Sequence, residues 1–236
     1  MSLEEMWTKT CLGIERRYTA VMNVRRLGFC LGYKAASELA RVGAIALDEA
    51  NNGTRKLDTK PGVMFKDRFL ASARGHRLIN RLESEGILVH RARVKTPQSI
   101  ELNKTTKKAP NDLLGLQVHG KGPEDVAKVK NALEEAGVKK LRANVHLTPA
   151  YNSVHVKGEF NKTPVEVQIH PSRATTLGHV LQHSLVYRPE IEAPNATPQD
   201  RILGEAISRA LVSKTSWIPS SITRLKGLGM KLEFKK

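Results

Sequence analysis

The sequence predicts an α+β protein: a mixed, mainly antiparallel sheet flanked by helices, preceded by a helical N-terminal region. Three observations predict it. Apolar residues recur at helical spacing between about residues 13 and 50 and again between 65 and 85. From Ile87 onward, short runs rich in β-branched residues alternate with helical stretches. Glycine and proline punctuate the changes between them.

Two amphipathic segments open the chain, around Ile14–Val24 and Tyr33–Glu49, and Asn51-Asn52-Gly53-Thr54 stops the second. Residues 53–63 read as a polar linker. Phe69, Leu70, Leu78, Ile79 and Leu82 then mark a helix from Phe65 to about Glu85, closed by Gly86. Ile87–Val94 reads as a strand, Ser99–Lys108 as a short basic helix and Leu113–Val118 as an apolar strand. Pro123 and the acids Glu124 and Asp125 suit the first turn of a helix that Gly137 ends. Leu141–Leu147 is a strand. A hairpin follows, with Val154, Val156, Val165, Val167 and Ile169 in its strands and Gly158–Thr163 as its turn. Arg173–Tyr187 and Gln199–Ser213 are the last helices, and Lys214–Lys236 reads as a loosely held basic tail. The expected divisions are a helical region over 1–62, a central domain over 63–190, and a C-terminal helix with its tail over 191–236.

Charge is the strong compositional signal. Lysine and arginine number 39 against 23 acids, a formal net charge of +16. That balance favours polyanionic partners such as nucleic acids or nucleoside polyphosphates. Aromatic residues make up only 5% of the chain, which argues against a sheet that stacks RNA bases on aromatic rings. No apolar run approaches membrane-spanning length, and Met1–Trp7 lacks the pattern of a signal peptide. Cys11 and Cys30 have no paired spacing and suit a reducing compartment. The expectation is a protein acting in the cytoplasm, with delivery as a secreted effector left open.

Three motifs carry chemistry. Arg93-Val94-Lys95 places two cations on one strand face, and a helix opens at Ser99 with Lys104 inside it. Cations beside a helix N-terminus suit a polyphosphate. Asp112 begins the strand Leu113-Leu114-Gly115-Leu116-Gln117, where an acid opposite a phosphate site suits Mg²⁺, although a strand-entry aspartate is the plainer reading. The hairpin supplies the third. Tyr151, Ser153 and His155 share one face of its first strand, and Glu166, Gln168 and His170 share one face of its second. If the two faces coincide, a carboxylate, a hydroxyl, an amide and imidazoles converge. A merely solvated sheet face is the alternative.

Taken in order, Arg93-x-Lys95-xxx-Ser99-Ile100, Asp112-Leu-Leu-Gly-Leu, Tyr151-x-Ser153-x-His155, Glu166-x-Gln168 and a helix with His183 and Tyr187 resemble the RelA/SpoT-type nucleotide pyrophosphokinase domain over residues 65–190. The resemblance implies a nucleotidyltransferase-like synthetase domain. It also implies transfer of the β,γ-pyrophosphate of ATP to a ribose 3′-hydroxyl. It gives Arg93, Lys95, Ser99 and Lys104 to the ATP phosphates, and Asp112 and Glu166 to Mg²⁺ or to the acceptor's proton. Tyr151 would stack on the acceptor base, with Ser153, His155, Gln168 and His170 around the acceptor.

Three departures lie on the acceptor side. Gln117 stands where the family carries an arginine, Ile169-His170-Pro171 replaces Ile-Arg-Thr, and His146–Ala150 lacks the usual lysine before the tyrosine. Either the acceptor lacks a 5′-polyphosphate, as the tRNA 3′ end does, or His170, Lys139, Lys140 or Arg142 substitutes and a guanosine or adenosine nucleotide (GDP/GTP or ADP/ATP) is the acceptor. An inactive, degenerate fold is a third reading. His179 and His183, four apart on a helix, are a further candidate metal pair. No His-Asp dipeptide occurs, so no hydrolase half is expected. A synthetase without one would inhibit growth, which implies a toxin with a neutralising antitoxin or immunity protein. The rival from another class is a non-catalytic, basic RNA- or nucleotide-binding protein.

Overall fold

The structure, a computed structural model, describes residues 55–56, 66–95, 113–187, 193–235 and Pro189. The two N-terminal helices, the 53–63 linker beyond Arg55–Lys56, the Ser99–Lys108 helix, and the candidate residues Ser99, Lys104 and Asp112 lie outside the described residues. The chain forms two compact units. The first comprises 52–147, 153–171 and 217–236; the second comprises 1–51, 148–152 and 172–216.

Seven strands form one mixed sheet in the order β1-β2-β3-β6-β5-β4-β7. They are β1 (Arg55–Lys56), β2 (Val89–Val94), β3 (Leu114–His119), β4 (Lys139–Thr148), β5 (Tyr151–Phe160), β6 (Thr163–His170) and β7 (Lys231–Lys235). Parallel pairs join β1 to β2, β3 to β6 and β4 to β7, whereas β2–β3 and β5–β6 are antiparallel. The sheet is therefore less antiparallel than the local hairpin pattern suggests. β3 and β6 are neighbours although a helix and a hairpin separate them in sequence.

In the first unit, helices α1 (Lys66–Ser84) and α2 (Pro123–Glu135) bury apolar stripes. Leu78, Ile79 and Leu82 of α1, and Val126, Val129 and Leu133 of α2, join one core with Leu114, Leu116, Val118, Val165, Val167 and Ile169. The two helices end alike. Ile87 N–H reaches Leu82 O (3.0 Å) and Val138 N–H reaches Leu133 O (2.8 Å). Gly86 and Gly137 take φ of +77° and +87°, as this cap requires.

Two local readings change. The β5–β6 turn is not Gly158–Thr163. β5 runs on to Phe160, which pairs with Thr163, and only Asn161 and Lys162 turn, both at positive φ (48° and 66°). Such a two-residue turn matches the twist of the flanking strands. Gly158 instead lies inside β5 because a Cβ there would meet Val138 Cγ1 at 2.6 Å and Leu141 Cδ2 at 2.8 Å. Nor is the C-terminal segment loose. Trp217 Nε1 donates to Gly120 O (2.6 Å), Arg224 pairs with Glu124, and β7 pairs with β4.

In the second unit, α3 (Arg173–Gln182) continues into a π-turn over His183–Tyr187 and packs on α4 (Pro198–Thr215). Ser172 and Thr197 open these helices with capping boxes closed by Thr175 and Asp200. Ser208 Oγ donates to Gly178 O (2.8 Å) across the pair. No helix among the described residues is long and apolar enough to cross a membrane.

Candidate functional site

Register converts the strand alternation into two faces. Leu116, Val118, Val167, Ile169, Val154 and Val156 face the core. The opposite face of the first unit is polar, and it is graded in rows across the strands. One row runs Arg93, Gly115, Glu166, Lys157. The next runs Arg91, Gln117, Gln168, His155. His119 and His170 pair in the third, where the irregular register at His90 lets its ring stack on His119 (centroids 4.0 Å apart). β4 adds Arg142, Asn144 and His146 to the same face, because Ala143 and Val145 turn to the core. The His146 ring lies 4.2 Å from that of His155. Five of the eight histidines thus share one sheet face.

Glu166 is the anionic centre of this face. It is 5% exposed. Its Oε1 accepts from His155 Nδ1, and Lys157 Nζ stands 3.4 Å from the same oxygen. Burial alone would raise this carboxyl above its ordinary 4.5. The hydrogen bond and charge of His155, joined by Lys157, outweigh burial and hold it at about 2. On the other side Gly115 presents no side chain, and Arg93 lies over it: a Cβ there would sit 3.5 Å from Arg93 Cγ and Nε. Arg91, Arg93, Gly115, Gln117 and Gln168 line a small cleft.

The amide row is incompletely bonded. Gln117 Nε2 donates to Gln168 Oε1 (2.9 Å). Gln117 Oε1, Asn144 Oδ1 and Ser153 Oγ are buried with no hydrogen-bond partner among the described residues. Each such group costs about 1–3 kcal/mol.

Among the residues singled out from the sequence, Arg93, Ser153, His155, Glu166, Gln168 and His170 come together on this face. The hairpin's two polar faces coincide there. Lys95 continues past β2, its N–H donating to Leu113 O (2.9 Å). Tyr151 belongs to the second unit, where its ring stacks on His179 at 4.3 Å. His179 and His183 meet edge-on at 5.9 Å, and the described residues contain no group of three or more metal-ligating side chains. Of the proposed arginine substitutes, Lys140 is engaged with Glu159 Oε2 (2.9 Å), while His170 pairs with His119. Sequence reasoning missed Lys157, Arg91, His90 and His119 as members of the face. Lys157 continues the period-two series of Tyr151, Ser153 and His155, and Arg91 precedes Arg93 by the same step; extending those series would have found both.

The second unit holds an open cavity of about 590 Å³ lined by Thr148, Asn152, Arg209 and Ser213 among others. Its lining includes no carboxylate or imidazole. The fold and this face define an α+β protein with a basic sheet surface built around one buried carboxylate. No family model matches the chain, and no curated protein matches it.

Proposed function

We propose that the chain is an ATP-dependent pyrophosphokinase that transfers the β,γ-pyrophosphate of ATP to a ribose 3′-hydroxyl of a nucleotide or of the tRNA 3′ end. The observation that carries the reading is the row Arg93–Gly115–Glu166–Lys157. It puts an ionised carboxylate between cations on one sheet face, as a motif order shared with the RelA/SpoT-type domain would require.

In this reaction the acceptor hydroxyl gives its proton to solvent, its oxygen bonds to the β-phosphorus of ATP, the bond to the α,β-bridging oxygen breaks, and AMP leaves. Such a transfer needs positioning and charge neutralisation more than covalent help from the protein. Arg93 and Lys95, with Ser99 and Lys104, hold the donor phosphates; Ser153, His155, Gln168 and His170 line the acceptor side. Mg²⁺ takes one or two carboxylates together with phosphate oxygens, and when bound it neutralises charge on the transferring group. The resemblance gives Glu166 and Asp112 as the carboxylates that would hold it; Glu166 is ionised, with its Oε1 shared by His155 and Lys157. A carboxyl near 2 is a weak proton acceptor, which supports the ligand role of Glu166 over that of general base.

The test is incubation with γ-³²P-labelled ATP, Mg²⁺ and GDP/GTP, ADP/ATP or bulk tRNA in parallel. Label should pass to one acceptor class, and Glu166→Gln should slow transfer by about 10²-fold or more. Absence of transfer to every acceptor would overturn the proposal. The +16 charge favours a second reading, a non-catalytic nucleic-acid-binding protein, which the same result would favour. The toxin role, its neutralising partner and a cytoplasmic site of action belong to the proposal. They are tested by growth arrest on expression of the wild type but not of Glu166→Gln.

A further inference from the structure

We infer that the outer edge of β7 docks an acidic, extended segment of a partner protein, which adds to the sheet as a further strand. Docking there is independent of the proposed reaction.

β7 closes one end of the strand order, and among the described residues no strand lies beyond it. The opposite edge, β1, has only two residues, Arg55 and Lys56. An edge strand presents a row of backbone N–H and C=O groups on its outer side, a template for an added chain. The five residues Lys231–Lys235 give that row a length of about 17 Å. The strand is anchored from behind. Leu225 and Met230 are buried in the core and Leu232 packs against it, while Arg224 pairs with Glu124.

Register gives each face of the edge its chemistry. Leu232 pairs with Ala143 and Phe234 with Val145, so both lie on the apolar side of the sheet. Phe234 is 41% exposed, and Lys226 Nζ stands 5.8 Å from its ring centroid. An apolar residue on an added strand would cover that ring. On the polar side Lys231 pairs with Arg142 and Glu233 with Asn144. The Lys231 side chain is 78% exposed, with its Nζ 3.7 Å from Glu233 Oε1. Cations therefore flank the edge on both faces, Lys231 and Arg142 on one and Lys226 on the other. Residues 222–236 carry five cations against one acid. Charge selects a partner strand bearing glutamate or aspartate, alternating with apolar residues that meet Leu232 and Phe234. Charge also selects against a second copy of this chain. Antiparallel two-fold pairing about Glu233 would set Glu233 against itself and bring together two chains of +16 each.

The test is fluorescence anisotropy of a labelled peptide of about ten residues, alternating glutamate and valine, titrated with the full-length protein. It should bind saturably, and a lysine–valine peptide at least tenfold more weakly. Lys231→Glu combined with Lys226→Glu reverses two exposed charges and should weaken the acidic peptide at least tenfold. A strand turns only every second N–H toward a given neighbour. N-methylation of the valines alone or of the glutamates alone should therefore abolish binding in one case and spare it in the other. Hydrogen exchange should show that the peptide protects residues 231–235. Absence of saturable binding, binding that the charge reversals leave unchanged, or equal effects of the two methylation patterns would overturn the inference. So would protection of β7 by bulk tRNA in place of the peptide, or a concentration-dependent dimer in sedimentation that the charge reversals dissociate.

Discussion

Replacing Glu166 by glutamine tests the electrostatics of the polar face directly. In the folded protein the carboxyl is held at about 2 against an ordinary 4.5. At about 1.4 kcal/mol per pH unit, that interval corresponds to about 3 kcal/mol of stability at neutral pH. The sign follows from the depressed value. Folding favours the ionised form, so the contribution is complete above 4.5 and is lost as pH falls toward 2. About 2 kcal/mol of it should be gone by pH 3. Glutamine cannot ionise but keeps the shape and an acceptor oxygen for His155. Urea unfolding of wild type and Glu166→Gln at pH 7, 5 and 3 should therefore show a gap that narrows by about 2 kcal/mol between pH 5 and 3. A gap that stays constant over this range would refute the reasoning. So would an unchanged acid limb in Lys157→Met, because losing the cation 3.4 Å from Glu166 should raise its carboxyl and shrink the contribution.

Three further predictions concern the scaffold, each read by urea unfolding. Gly158→Ala should destabilise by about 1–3 kcal/mol, since the new methyl meets Val138 and Leu141; an unchanged midpoint would place β4 farther from β5. Lys162→Gly should stabilise by about 1 kcal/mol by relieving a positive φ in the exposed two-residue turn; destabilisation would contradict that turn. Thr197→Ala should cost about 1 kcal/mol through loss of the bond from Asp200 N–H to Thr197 Oγ1 (3.2 Å), with no cost if the capping box is absent.

Much of the secondary structure was legible because its signals are local. The stripe Leu78, Ile79 and Leu82, Pro123 at the head of α2, and Gly86 and Gly137 after their helices each act within a turn or two of chain. Alternation in Tyr151–Lys157 and Glu166–His170 placed polar side chains on one face of each strand. The same logic failed where a neighbour decides. From the sequence alone Gly158 reads as a turn residue, as a glycine beside a polar run does. It sits within β5 because β4 passes too close for a side chain.

By itself the sequence determined the four long helices among the described residues, Lys66–Ser84, Pro123–Glu135, Arg173–Gln182 and Pro198–Thr215, most of the described strands, the basic balance and a set of polar residues in period-two series. Only the tertiary structure decided which polar faces meet. Parallel pairing of β3 with β6 sets Gly115 beside Glu166, and antiparallel pairing of β5 with β6 sets Lys157 on its other side. It also decided that the C-terminal residues Lys231–Lys235 are a strand beside β4 rather than a tail. The physical reason is that strand order and register depend on burying one apolar layer shared by residues far apart in sequence, and a one-residue slip would turn every polar side chain into the core. Periodicity fixes the faces of a strand; the shared core selects its neighbours, and with them the charge around Glu166.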